Sequence, residues 1–202
     1  MWVTKFLAHF ICTGIPFTVV IITFSVPSIP VQLPETVGSL KKLESLNLEQ
    51  NGLMSLPDSC VNLKSLKTVN LSQNKLQTFP LFLCQLTHLD FANLSSNAIP
   101  ELPQGIEALN AVELNLNGNS ISVLPPGLAK CRRLKVLRVQ ENTLELMGLP
   151  PALLSDSNIS LLCAEGNLFD LKELHELPEY EKVWGWPYCH NYTATINTLV
   201  SI

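Results

Sequence analysis

Charge is scarce in this sequence, and neither sign is concentrated in a run. Only 15% of the 202 residues are Asp, Glu, Lys or Arg, and 13 basic against 17 acidic side chains give a net charge of −4. Lys and Arg that are scattered along the sequence form no stretch suited to a phosphate backbone, so we expect no nucleic acid among the partners. Since 47% of the residues are hydrophobic, the chain is apolar enough to fold into an ordered structure.

The sequence also lacks the motifs of enzymes and metal sites. Its four histidines lie far apart, and there is no C-x-x-C, Gly-rich phosphate loop, G-x-S-x-G or H-E-x-x-H motif. Six cysteines in 202 residues are too few for a disulfide scaffold. We therefore predict a protein without catalytic residues, cofactor or metal.

An internal repeat is present instead, marked by regularly spaced asparagines. They are separated by 23, 23, 22, 23 and 25 residues: Asn51, Asn74, Asn97, Asn119, Asn142 and Asn167. Leucines precede each one in a fixed frame, as Leu43, Leu46 and Leu48 precede Asn51. A second series keeps the same phase: Leu33-Pro34, Leu56-Pro57, Phe79-Pro80, Leu102-Pro103, Leu124-Pro125 and Leu149-Pro150. Two markers that keep one register indicate a structural unit repeated about six times.

The residue types fit a stacked unit. Leu-x-Leu alternates with period two, which predicts a very short strand with its leucines facing inward. The asparagine follows where the chain turns, and its amide can satisfy backbone groups that the turn would otherwise bury unpaired, at about 1–3 kcal/mol each. Proline stiffens the return segment. Because no unit can bury its leucines alone, the units must stack into one continuous core.

The frame L-x-x-L-x-L-x-x-N-x-L-x-x-L-P-x-x-L resembles the leucine-rich repeat, in the 23-residue form common in intracellular proteins. The resemblance covers residues 33 to 183, and VELNLNGNSIS, LSDSNISLL and EGNLFDLKEL are similar to stretches of animal members of the family. It implies an α/β-type repeat solenoid, curved, with short parallel strands on the concave face and irregular or helical segments on the convex face. It also implies that the concave face binds a partner.

The chain divides into four segments: an apolar N-terminal segment at 1–32, the repeats at 33–169, a capping helix at 170–183 and a divergent tail at 184–202. Residues 1–32 fall outside the repeat register, since Ser28 stands one period before Asn51. The run Phe6 to Val26 is long enough to cross a bilayer. Three interpretations remain open for it: a signal peptide, a membrane anchor, or a terminus folded over the open end of the solenoid.

The binding residues are predicted from strand alternation, which turns the residues between the leucines outward. Among them Phe91 and Arg138 stand out, because aromatic residues and arginine are enriched in interface hot spots. Val136 and Leu161 would add an apolar patch beside Arg138, with Glu113 next to it. Two alternatives remain: Phe91 packs against a neighbouring turn, and Arg138 forms an ion pair with Glu113 or Glu165.

These features predict a non-catalytic adaptor or scaffold that binds a protein partner in signal transduction. Because no cysteine clusters flank the repeats, we expect a reducing, cytoplasmic location, with membrane association through residues 6–26 as an option. The alternative is a membrane-anchored or secreted recognition protein. Four glycosylation sequons would suit that alternative, although repeats that combine asparagine and serine create such sequons by themselves: Asn70, Asn93, Asn158 and Asn191.

Overall fold

The computed structural model describes residues 19–21, 33–170 and 172–173. They form one parallel sheet of seven strands that follow each other in chain order, and every strand is three residues long. The strands are β1 (Val19–Ile21), β2 (Ser45–Asn47), β3 (Thr68–Asn70), β4 (Phe91–Asn93), β5 (Glu113–Asn115), β6 (Val136–Arg138) and β7 (Leu161–Cys163). The solenoid of short parallel strands predicted from the repeat is thereby confirmed.

Short helical segments return the chain from each strand to the next. They are 3-10 helices at Glu35–Ser39, Asp58–Asn62, Leu81–Gln85, Ile106–Ala108, Pro126–Lys130 and Leu146–Gly148, followed by the α-helix α1 at Pro151–Ser155. The prolines of the second repeat series mostly stand immediately before these helices, as Pro34, Pro57 and Pro80 do. Proline there fixes φ and keeps the preceding residue extended, so each return begins at a defined point.

The core runs through the whole stack, between the strands and the return helices. The middle residue of each strand from β2 to β7 is buried, and so are the leucines around it: Leu43, Leu46 and Leu48 in one unit, and Leu89, Ala92 and Leu94 two units later. Each fully buried leucine contributes about 1.5–3 kcal/mol relative to an exposed one. Because that burial requires the neighbouring unit, the units are stable only together.

A left-handed turn follows every strand from β2 to β7. The residue before each asparagine of the series has a φ between 54° and 75°: Gln50, Gln73, Ser96, Gly118, Glu141 and Gly166. Side chains other than glycine adopt this conformation at a cost, which the surrounding structure must offset. The asparagine that comes next supplies the hydrogen bonds that hold the turn.

The strand β1 lies within residues 1–32, which the repeat register places outside the repeats. It pairs in parallel with β2, with Val19 opposite Ser45 and Ile21 opposite Asn47. The first unit is longer than the rest, with 26 residues from Val19 to Ser45, so counting back one period from Asn51 misses the strand. Valine and isoleucine favour strands because their branched side chains suit a pleated surface. The sheet therefore begins one strand earlier than the asparagines indicate.

Most of the run Phe6 to Val26 lies outside the described residues, and the three interpretations of that run remain predictions. Among the residues that the structure does describe, no helix has the length and apolar character needed to span a bilayer.

The C-terminal cap is described only at its start. Asp170 accepts two hydrogen bonds from the backbone, one at Oδ1 from the Lys172 N–H at 3.0 Å and one at its carbonyl from the Glu173 N–H at 3.0 Å. Lys172 and Glu173 are helical, so Asp170 stands where a helix N-cap belongs. The remainder of the predicted capping helix and the tail lie outside the described residues.

Candidate functional site

Two rows of asparagine cross the sheet, and they differ in what their amides do. The inner row is the asparagine series of the repeat. The Nδ2 of Asn74 donates to the carbonyl oxygens of Leu48, Leu71 and Ser72 at 2.9–3.0 Å. Its Oδ1 accepts from the backbone N–H groups of Asn51 and Leu53. One side chain thus holds its own turn and fastens it to the preceding unit.

The same pattern recurs along the inner row. Asn97, Asn119 and Asn142 each donate three hydrogen bonds to carbonyl oxygens, one of them in the preceding unit. Each Oδ1 accepts an N–H of the preceding unit, as that of Asn119 accepts from Ile99 at 3.0 Å. Asn167 donates two bonds and accepts one. These residues therefore form a column of structural bonds.

The outer row consists of the last residues of β2 to β5: Asn47, Asn70, Asn93 and Asn115. Each Oδ1 accepts from the backbone N–H two residues later at 3.0–3.1 Å, which ends the strand. The Nδ2 of Asn70 donates to Glu49 at 3.2 Å. Within the described part of the chain, Nδ2 of Asn47, Asn93 and Asn115 has no hydrogen-bond acceptor. These half-exposed amides are donors available on the sheet face.

The predicted binding residues occupy neighbouring positions of the same face. The register places Phe91 between Thr68 and Glu113, and Val136 between Glu113 and Leu161. Phe91, Glu113, Val136 and Leu161 are all partly exposed. The structure thus brings four of the predicted residues into one row, at the first position of β4 to β7.

Arg138 lies in the adjacent row but is buried. Its Nε donates to Glu113 Oε1 at 2.8 Å, and its Nη1 lies 3.7 Å from Cys163 Sγ. The exposed fraction is 9% for the Arg138 side chain and 17% for that of Glu113. The ion pair given above as an alternative for Arg138 is present with Glu113. Because the pair is largely buried, a partner would contact its few exposed atoms rather than an unpaired guanidinium.

The turns that follow β5 and β6 are joined by an asparagine side chain. Asn117 Oδ1 accepts from the Gln140 N–H at 2.9 Å, and its Nδ2 donates to Gln140 Oε1 at 2.9 Å. In β2 to β5 the asparagine at the end of the strand accepts the equivalent N–H, but β6 ends on Arg138 instead. Asn117 of the preceding unit therefore supplies the acceptor that the end of β6 lacks.

A shallow groove on the return side was not foreseen from the sequence. It measures about 480 Å³ and lies between the helices Asp58–Asn62 and Leu81–Gln85, with Leu56, Phe79 and Phe82 among its lining residues. Leu81 at its rim is 59% exposed. The groove forms where two successive return helices pack together, so no single sequence motif predicts it.

The free cysteines of the described residues are poorly placed for chemistry. Cys60, Cys84 and Cys131 are free thiols. Burial raises the pKa of Cys60 and Cys131 to about 12 and that of Cys84 to about 11, so almost no thiolate exists at neutral pH. No group of three His, Cys, Asp or Glu in the described part is arranged to hold a metal ion.

Known proteins share this geometry. The family model "Leucine rich repeat" matches residues 34–99, and a second model of the same description matches residues 110–131. A leucine-rich-repeat protein of Leptospira interrogans is 27% identical over 76% of this chain and 44% of its own, with a TM-score of 0.54. The plant peptide hormone receptor RGFR1, solved in complex with RGF2, is 27% identical over 67% of this chain and 22% of its own, with a TM-score of 0.56.

An internalin of Listeria monocytogenes shares the fold at 19% identity, over 79% of this chain and 45% of its own, with a TM-score of 0.62. In each of these matches, this chain spans less than half the length of the similar protein. The repeating geometry and the family matches together show that the described part of the chain has the fold of a leucine-rich-repeat solenoid.

Proposed function

We propose that this protein is a non-catalytic interaction module that binds an extended polypeptide segment of a protein partner across the sheet face. The observation that carries the proposal is the half-exposed surface of β2 to β5, where amide donors without acceptors in the described part of the chain flank Phe91. We propose a role as adaptor or scaffold for the same surface.

The chemistry of the surface suits a polypeptide backbone. The Nδ2 groups of Asn93 and Asn115 can donate to carbonyl oxygens of a bound segment, while Phe91 offers an apolar contact beside them. Neighbouring strands lie about 4.8 Å apart, so β2 to β5 span roughly 14 Å, the length of about four extended residues. The aromatic ring would supply affinity and the amides would fix orientation.

One of the similar proteins supports a polypeptide ligand. RGFR1 is by its printed name a peptide hormone receptor, and its structure contains RGF2. This chain is 27% identical to the receptor and covers only 22% of it, so the specificity of the receptor is not carried over to this chain.

Selection from a displayed peptide library tests this function. The full chain is immobilised, and selected peptides are measured against wild type, Phe91→Asp and Leu81→Asp. Leu81 is the matched control, since it is an exposed apolar residue on the return side. We expect Phe91→Asp to weaken binding by about tenfold or more, as loss of an aromatic anchor does, and Leu81→Asp to leave it unchanged. Equal loss in both variants, or loss only with Leu81→Asp, would contradict a sheet-face site.

We further propose that Glu113, Val136 and Leu161 extend the site beyond Phe91, with Arg138 holding the Glu113 carboxylate in place. We also propose a relation to the animal protein leucine-rich repeat-containing protein 57, which residues 111–183 resemble. A cytoplasmic adaptor in signal transduction, with membrane association through residues 6–26, fits that relation.

A second candidate is a secreted or membrane-anchored recognition protein. One observation favours it: Cys163 is disulfide-bonded, and such bonds persist chiefly in oxidising compartments. Protein isolated from cells under alkylating conditions distinguishes the two candidates by mass. A blocked Cys163 together with a glycosidase-sensitive mass shift supports the secreted form, whereas an alkylated Cys163 without glycan supports the cytoplasmic adaptor.

A further inference from the structure

The basic side chains that are scattered in sequence meet in space along one edge of the solenoid. This basic edge consists of the six residues before each strand from β2 to β6. It carries eight of the 13 Lys and Arg residues of the chain: Lys41, Lys42, Lys64, Lys67, Lys130, Arg132, Arg133 and Lys135. All eight residues are exposed. The repeat brings them together because each stands in the few residues before a strand.

Backbone hydrogen bonds show that the edge is continuous. The Lys67 N–H donates to the Glu44 carbonyl, the Asp90 N–H to that of Lys67, and the Lys135 N–H to that of Val112, all at 2.8 Å. Ser65 Oγ also donates to the Lys41 carbonyl at 2.7 Å. Equivalent turns are therefore neighbours at the strand spacing of about 4.8 Å, and the edge from β2 to β6 is roughly 19 Å long.

Arg133 extends along the edge and brings positive charge to the turn that leads into β4, which has no Lys or Arg of its own. Its Nη1 donates to the Leu89 carbonyl at 3.2 Å, and its Nη2 pairs with Asp90 at 2.6 Å, two units earlier. Lys67 pairs with Glu44 at 2.7 Å. Lys41, Lys42, Lys130, Arg132 and Lys135 have no ion-pair partner among the described residues.

The charge of this edge is opposite to that of the chain. Its acidic residues are Glu44, Asp90 and Glu107, so eight positive and three negative groups give +5, while the whole chain carries −4. A polyanion is thus attracted to this edge and repelled by the remaining surface. Such a separation of charge steers an anionic partner to one orientation.

We propose that the basic edge binds an acidic, extended segment of a protein partner, a run of Asp and Glu residues. Its length of roughly 19 Å suits about six extended residues, and Arg132 is free to bind a carboxylate in bidentate fashion. A membrane surface fits less well, because none of the exposed large apolar residues of the described part lies on this edge: Met54, Leu81, Val123, Met147 and Leu168. This surface is separate from the sheet face proposed above.

Fluorescence anisotropy with a labelled octaglutamate peptide tests the edge on the full chain. The edge variant is Arg132→Glu with Lys135→Glu, and the matched control is Lys75→Glu with Lys172→Glu, which changes the net charge equally but at exposed residues off the edge. We expect binding at low salt that weakens as salt rises, a loss of about tenfold or more in the edge variant and less than about twofold in the control. Phe91→Ala, which leaves the charge of the chain unchanged, should bind the peptide like wild type, which separates this test from that of the sheet face.

Vesicles containing phosphatidylserine and a labelled oligothymidylate of the same length as the peptide form the other arms. Tighter binding of wild type to either of them than to the peptide would overturn the proposal. Failure of wild type to bind the peptide, or equal losses in the edge and control variants, would overturn it as well. If the edge variant unfolds, as judged by circular dichroism, Arg132→Gln with Lys135→Gln replaces it under the same criteria.

Discussion

The units that contain β2 to β5 and those that contain β6 and β7 share one interior but present different faces. From β2 to β5 the strand residues alternate between half-exposed, buried and half-exposed. In β6 and β7 the third residue is buried too, because Arg138 and Cys163 replace asparagine there. The inner asparagine column continues through both regions without interruption.

The two faces show where the repeat constrains residue identity. An inner asparagine serves backbone groups of two units at once, so a side chain of another length or chemistry leaves several of them unpaired. An outer strand residue faces solvent or a partner, and its replacement changes the surface while the register of the sheet stays the same. The interior is thus common to all units, and the face is specific to each region.

The largest effect expected concerns the shared core. Leu94→Ala and Leu137→Ala should each lower the free energy of unfolding by about 2–5 kcal/mol, because both leucines are completely buried and leave a cavity. Urea unfolding measures the loss. A much smaller loss at Leu137 would contradict a shared core, since it would show that the core of the β6 region is looser than that of the β4 region.

The second-largest effect on stability is expected in the inner asparagine column. Asn74→Ala and Asn142→Ala should each cost about 3 kcal/mol, since each removes three donated hydrogen bonds and leaves at least one buried N–H without its acceptor. The same unfolding experiment applies to both variants. If the two losses differed by more than about 1 kcal/mol, the inner asparagines would not contribute equally to stability in the two regions.

Substitutions on the outer face should affect stability differently in the β6 region and in the β2 to β5 region. Arg138→Ala should cost about 2 kcal/mol, because it leaves the largely buried Glu113 carboxylate without its partner. Asn93→Ala should cost less than about 0.5 kcal/mol, since its amide holds only its own turn. Arg138→Ala combined with Glu113→Ala serves as control, and it should recover part of the loss. Equal costs for Arg138→Ala and Asn93→Ala would remove the distinction between the faces.

A smaller effect is expected from the buried thiol of Cys60. Burial, chiefly, raises its pKa in the folded protein to about 12, from an ordinary value of 9.0. The unfolded chain therefore loses its thiol proton first, and the stability that this group contributes below about pH 9 is lost as the pH rises towards about 12. Cys60→Ala should flatten the decline of stability that urea unfolding measures across this alkaline range. An unchanged slope would show that Cys60 is not the group responsible.

Much of the fold is predictable here because the repeat poses the same physical problem many times. The asparagine and proline series define the units, and the alternation of leucines places Phe91 and Arg138 on the outer face. The strand β1 was missed because its unit is longer by three residues and carries Ser25 four residues after the strand, where Asn51 stands in the next unit.

The remaining surprises depend on side chains of different units. The burial of Arg138 results from Glu113 on β5 and Cys163 on β7, which are 25 residues away in either direction. The basic edge is likewise invisible in the linear sequence, where its residues stand scattered between 41 and 135. Such features become visible only when the register of the strands is known.

The most direct test compares two asparagines four residues apart. Asn119 belongs to the inner column and donates to Leu94, Leu116 and Asn117, whereas Asn115 ends β5 and accepts one hydrogen bond from its own turn. Urea unfolding of Asn119→Ala and Asn115→Ala measures the difference. We expect Asn119→Ala to lose about 2–3 kcal/mol more of the free energy of unfolding than Asn115→Ala. Equal losses in the two variants would contradict the division between a structural column and an outer binding face.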